Sequence, residues 1–219
     1  MTSKKTAIAF LVAAAVGAAA FTAIAETQSF AAEGFTAIDV GTGLEVIYVA
    51  GADYGVEADF SRGGPDDVRV EVNGSTLEIR RKRTGWGWTD GSKVKAIFTV
   101  TSPGLEAVDV SSGASFSGSG IDADMFELDV SSGGSVSLEG RCRALVLDVS
   151  SGASVRADGL RCAEGTIDAS SGASVRAYLS DSVSVDASSG SSVRVSGGPA
   201  VKEVDRSSGA SVRIEQGEL

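Results

Sequence analysis

The sequence contains no histidine. That absence excludes serine–histidine and cysteine–histidine nucleophilic centres, histidine-ligated metals and imidazole general bases together. Cysteine is scarce as well, with two in 219 residues, and there are only three prolines and two tryptophans. No glycine-rich phosphate loop leads into a helix, because no helix is expected in the body of the chain. Basic residues are outnumbered by acidic ones, 19 to 29. That balance argues against nucleic acid as a partner, and it repels the chain from anionic lipid.

Only one run is long and apolar, Ala7 to Ala25, and it follows Lys4 and Lys5. With Ala23-Ile24-Ala25 as a small-x-small site before Glu26, residues 1–25 read as a secretory signal peptide. The alternative is an uncleaved anchor, since the run approaches the ~20 residues of a spanning helix. Its alanine-rich make-up and the cleavage triplet favour removal. Cleavage leaves 17 basic residues against 29 acidic, a net charge of −12. No later segment is apolar enough to insert in a membrane. The expected destination is the periplasm or cell surface of a Gram-negative-type bacterium.

What the chain does have is a repeat. Asp109-Val-Ser-Ser-Gly-Ala-Ser-Phe116 recurs with small changes from Asp129, Asp148, Asp168, Asp186 and Asp205. The first serines are Ser111, Ser131, Ser150, Ser170, Ser188 and Ser207, giving steps of 20, 19, 20, 18 and 19 residues. Between these motifs apolar and polar residues alternate, as in Val183-Ser-Val-Asp-Ala187. Period-two alternation means strands with one buried face. The reading is therefore an all-β fold, a single-stranded parallel β-helix whose 18–20-residue coils each hold two or three short strands. A single coil cannot bury its apolar face, so stability comes from stacking on its neighbours. Uneven steps suit a right-handed coil, the hand that parallel crossovers favour.

The motif residues have structural roles in this reading. The glycines, Gly113 to Gly209, take the corner conformation that a side chain opposes. The serines are expected to satisfy corner amides and to stack from coil to coil. The aspartates form one outward row, and Arg156, Arg176, Arg194 and Arg213 form a second. The aspartate row lacks the Gly-Gly-x-Gly-x-Asp spacing of calcium-binding rolls, so no metal and no cofactor is assigned.

Cys142 and Cys162 each lie eight residues before a motif serine, Ser150 and Ser170. Equal offsets on adjacent coils bring their Cα atoms within the ~4.4–6.8 Å a disulfide spans. The alternative is a pair of reduced core cysteines.

Residues 26–33 read as a short tail, and 34–219 as one β-helix domain. Its first coils, 34–104, are irregular, and 105–219 carries the six Ser-Ser-Gly coils. Six strands are expected over 35–40, 44–49, 55–60, 68–72, 76–80 and 94–100, with Asn73-Gly74 as a hairpin turn. Phe35-x-x-Ile38, the Asn73-Gly74-x-x-Leu77-x-Ile79 hairpin and Pro103-x-Leu105 leading into Ser-Gly-Ala-Ser repeats resemble the GIN domain family. That family is described as an auto-transporter adhesin head domain, and the likeness covers residues 34–215. It implies a right-handed β-helix whose early strands form the first coils, and it supplies no catalytic residues. The chain has no room for a translocator barrel.

One segment breaks the repeat: Arg80-Arg-Lys-Arg-Thr-Gly-Trp-Gly-Trp-Thr-Asp-Gly91. Trp86 and Trp88 there can stack on sugar rings while Arg80, Arg81, Lys82 and Arg83 engage acidic groups. The structural alternative is that the tryptophans cap an open coil end. The function expected is a non-enzymatic envelope protein that binds or adheres, with a glycan or an envelope protein as partner. The alternatives are a module that self-assembles through its coil ends and a polysaccharide-active β-helix enzyme. An active site would be a local departure from the repeat, and the carboxylates instead recur in every coil.

Overall fold

The structure is a computed structural model and describes residues 26–82 and 94–215. The proposed signal peptide and Arg83, Trp86 and Trp88 lie outside the described residues.

The described chain is a parallel β-solenoid without an α-helix. Its regular half comprises β8 (Ala107–Val110), β9 (Ser115–Val130), β10 (Ser135–Val149), β11 (Ser154–Ala169) and β12 (Ser174–Ala187). It ends in β13 (Ser192–Ser196), β14 (Val201–Arg206) and β15 (Ser211–Ile214). The middle coils differ from the expected set of two or three short strands. Each is one strand of 14 to 16 residues, closed by one tight corner. The strand bends without breaking at register shifts beside Leu138 and Gly140. Gly140, at φ 144°, comes so close to the coil beneath that a Cβ there would stand 2.2 Å from the Ile121 carbonyl oxygen. A bulge with glycine turns the strand where a side chain would block it.

The corners run on backbone chemistry. In Ser111-Ser-Gly-Ala114 the second serine and the glycine both have left-handed φ, 53° and 71°. The Ala114 N–H donates to the Ser111 carbonyl at 3.1 Å, closing a two-residue turn of the hairpin type. The Gly113 N–H donates to Ser132 of the next coil at 3.0 Å, and the pattern repeats upward. Corner amides thus meet carbonyls, and serine hydroxyls do not perform the expected task. The hydroxyl that does reach a carbonyl in this region is that of buried Ser191, to Ala169 at 2.9 Å.

Inside, register stacks like on like. Val110, Val130, Val149, Ala169 and Ala187 form one buried column, and Phe116, Val136, Val155, Val175 and Val193 another. Cys142 and Cys162 are register partners and are joined, with Cα atoms 4.5 Å apart.

The irregular half holds β1 (Glu26–Ser29), β2 (Ala37–Val40), β3 (Glu45–Ala50), β4 (Gly55–Arg62), β5 (Val68–Asn73), β6 (Thr76–Arg81) and β7 (Lys95–Ser102). Its strands are not stacked in chain order. β2 lies between β6 and β8, and β3 between β7 and β9, all parallel. The coil made first in the sequence is therefore second in the stack. Between β3 and β6 the chain runs outward, places β4 antiparallel on β7, and returns through the β5–β6 hairpin. Residues 26–29, read as part of a tail, add β1 antiparallel to β4. Phe30 and Phe60 lie on Phe98, with ring centroids 6.1 and 6.4 Å away, and so cover the core at this end.

The opposite end is finished differently. Lys202 and Arg206 of β14 stand in register with Val183 and Ala187, the inward positions of the coil before. Charges at inward positions of an edge strand oppose pairing with a further strand. The last described coil is thus built against stacking through its end.

Candidate interaction surface

Over the last four coils the strands on either side of the corner carry opposite charge. On the side before it, register aligns Glu78, Asp39, Asp109, Asp129, Asp148, Asp168, Asp186 and Asp205 in one outward column. Glu78 and Asp39 extend the six motif aspartates into the irregular half. Adjacent rungs are about one strand spacing, ~4.8 Å, apart, where like charges destabilise. Partial burial raises the carboxyl of Asp109 above its ordinary value, and Asp39 and Asp129 push it further. Burial likewise raises Asp129, reinforced by Asp148 and Glu127, and raises Asp168, reinforced by Asp148 and Asp186.

On the side after the corner, Arg156, Arg176, Arg194 and Arg213 align in register and are all exposed. Two residues earlier on the same outward face, Ser154, Ser174, Ser192 and Ser211 form a parallel row of hydroxyls. Among the described residues, Arg194 reaches Glu215 at 3.8 Å, and the other three arginines make no ion pair. Several arginines elsewhere are matched. Arg141 holds Asp122 at 2.6 Å, Arg143 holds Asp124 at 2.8 Å and also Glu164, and Arg161 lies 4.6 Å over the Tyr178 ring. The Arg141 and Arg143 guanidiniums hold Asp122 and Asp124 below the ordinary carboxylate range.

The cationic run identified in the sequence is drawn into the scaffold where it is described. Arg80 pairs with Asp39, whose side chain is only 17% exposed, across 41 positions of sequence. The Arg81 guanidinium donates to the Gly43 carbonyl at 3.0 Å, and its backbone N–H donates to the Thr42 hydroxyl at 3.0 Å. The Lys82 N–H donates to the Asp67 carbonyl at 2.8 Å. The Arg81 contacts fasten β6 to Gly41-Thr42-Gly43, a seventh corner with left-handed Thr42 and Gly43. That corner lacks the Ser-Ser-Gly motif. The signal for it is Asp39-Val40 immediately before and Gly43 in the place of Gly113. The connection from β6 to β7, which contains Trp86 and Trp88, joins the two strands that every other coil joins with a short corner.

The family model described as "Putative auto-transporter adhesin, head GIN domain" matches residues 34–199. The chain belongs to the GIN-domain family. Solved structures share the fold. A "putative adhesin" from Bacteroides fragilis has 18% identity and a TM-score of 0.63, with 87% of this GIN domain chain and 96% of that chain covered. A "putative adhesin" from Parabacteroides distasonis has 16% identity and a TM-score of 0.55 at the same coverage. A "putative lipid binding protein" from the same species has 13% identity and a TM-score of 0.50, again over 87% and 96% of the two chains. No curated protein matches the chain. At these identities the neighbours establish the solenoid, and a ligand has to be argued from this GIN domain's own residues.

Proposed function

We propose that this GIN domain is an exported, non-enzymatic binding module of the bacterial envelope, and that the arginine row is its principal contact surface. The observation that carries this reading is the row itself. Arg156, Arg176, Arg194 and Arg213 are held in register on a rigid sheet, and the first, second and fourth have no ion-pair partner among the described residues. On a chain of net charge −10, a concentrated cationic stripe selects an anionic partner and orients it. Guanidiniums beside serine hydroxyls suit carboxylates, which accept paired N–H bonds. The adhesin descriptions of the family and of its structural neighbours support the same reading. The segment containing Arg83, Trp86 and Trp88 is proposed as a second contact, because it connects β6, in the acidic column, to β7 and holds both tryptophans of the chain beside a cation.

The test is attachment of the purified chain to intact Gram-negative cells. Arg176→Ala with Arg194→Ala should reduce attachment severalfold at an unchanged melting temperature. Undiminished attachment by that variant would refute the assignment. Trp86→Ala with Trp88→Ala separates the second contact from a cap, since a cap would show as a lower melting temperature.

A further inference from the structure

We infer that the anionic partner of the arginine row is the aspartate row of a second copy of this chain, docked side by side. This rests on the binding role proposed for the row and adds the identity of its partner. Two independent features point the same way. The arginine row holds four like charges in register with one ion pair at 3.8 Å. The aspartate row holds like charges in register over the same coils, with Asp129 and Asp168 raised by burial and by their neighbours. Each row lacks what the other offers.

The rows are also commensurate by construction. Both advance one residue per coil along one axis, so a second molecule presents carboxylates at the spacing of the guanidiniums. Arg156, Arg176, Arg194 and Arg213 can then meet four consecutive rungs drawn from Asp129, Asp148, Asp168, Asp186 and Asp205. Within one molecule the rows lie on strands either side of the corner, and none of the ion pairs found among the described residues joins them. Ser154, Ser174, Ser192 and Ser211 supply further donors to the incoming carboxylates. Single exposed pairs contribute little, but a rigid row engages them together once the first has formed. The contact joins two different faces, so each docked pair leaves one row of each kind free and assembly can continue sideways. Axial growth is opposed by Lys202 and Arg206 at the coil end. Docking also has to displace Glu215 from Arg194.

Sedimentation velocity on the chain from Glu26 onward tests this. At low salt the average mass should rise with concentration, and ~1 M salt should weaken association by about tenfold or more through screening. Arg176→Glu with Arg194→Glu should leave a monomer, as should Asp148→Lys with Asp168→Lys. Each of these variants keeps the face the other has lost, and the two reversed faces are complementary to each other, so an equimolar mixture should associate where neither variant does alone. Asp148→Asn with Asp168→Asn should associate less than the parent while melting no lower, which separates docking from a folding defect. A parent chain that stays monomeric at every concentration, or a mixture that fails to pair, overturns the inference. If such a monomer still loses cell attachment on Arg176→Glu and Arg194→Glu, the binding role survives without the self-docking. Retention of the monomer on immobilised polygalacturonate would then assign the row to an acidic glycan. If attachment is unaffected as well, both proposals fall.

Discussion

Lys202 occupies the register position that Val183 holds one coil earlier, and Arg206 occupies that of Ala187. Changing Lys202→Val and Arg206→Ala together makes the last coil resemble those beneath it. The variant should form end-to-end oligomers that persist in high salt, because apolar burial and strand pairing would hold them. Light scattering checks this, and a monomeric double variant would mean that something other than these charges closes the end.

The Cys142–Cys162 bond ties one coil to the next across 20 residues. Closing a loop of that length stabilises by roughly 3 kcal/mol in the chain-entropy view. Cys142→Ala with Cys162→Ala should lower the unfolding free energy by about that amount in urea titrations. Reductant should shift the parent chain and leave the variant unmoved. A parent with the same midpoint in both conditions would show that the tie does not constrain its unfolded state.

The aspartate row makes a signed pH prediction. Asp129 and Asp168 have folded pKa values above the ordinary 3.8, so the folded state takes up their protons more readily than the unfolded chain. The stability gained by protonating them is complete below the ordinary value and is lost as pH rises through the raised one. Asp129→Asn with Asp168→Asn should therefore stabilise the chain at pH 7, by a few tenths of a kcal/mol per relieved neighbour. The gain should vanish in acid. Asp122 and Asp124, depressed by Arg141 and Arg143, act in reverse. What they contribute is present above the ordinary value and is lost as pH falls through the lowered one. Thermal melts of parent and variant across the acid range report both signs.

At the corners, conformation rather than space demands glycine. A Cβ on Gly172 would meet nothing within 4 Å, yet its φ is +76°. Gly172→Ala should lose about 1 kcal/mol, and Gly172→Asn less, because asparagine tolerates the left-handed region better. Equal losses for the two would point to a cause other than backbone strain.

The regular coils were legible because one motif, Asp-x-Ser-Ser-Gly, recurs at nearly constant spacing and each coil repeats the contacts of the last. The stacking order of the irregular half was not. Period-two alternation shows that Ala37–Val40 and Thr76–Arg81 are strands but says nothing about which parallel neighbour each selects. The single long strand per coil was hidden for a related reason: glycine marks a bend within a strand as readily as a turn between two. Outwardness of the charged rows followed from the alternation. Their pairing did not, since the Arg80–Asp39 contact joins residues 41 apart that only the inserted coil brings together. In the run from Arg80 to Arg83, Arg80 and Arg81 serve the scaffold.

The position of β2 and β3 within the stack bears on how the chain assembles as it is made and exported. They emerge before every strand they pair with, and neither can be paired on both edges until β6 through β9 have followed. Until then the earliest coil presents two open parallel edges, which no local hairpin can cover. The later coils face no such delay, because each finds its template finished beneath it. Misassembly should therefore concentrate in the first hundred residues to appear, and a factor that shields the chain during passage would be needed there most.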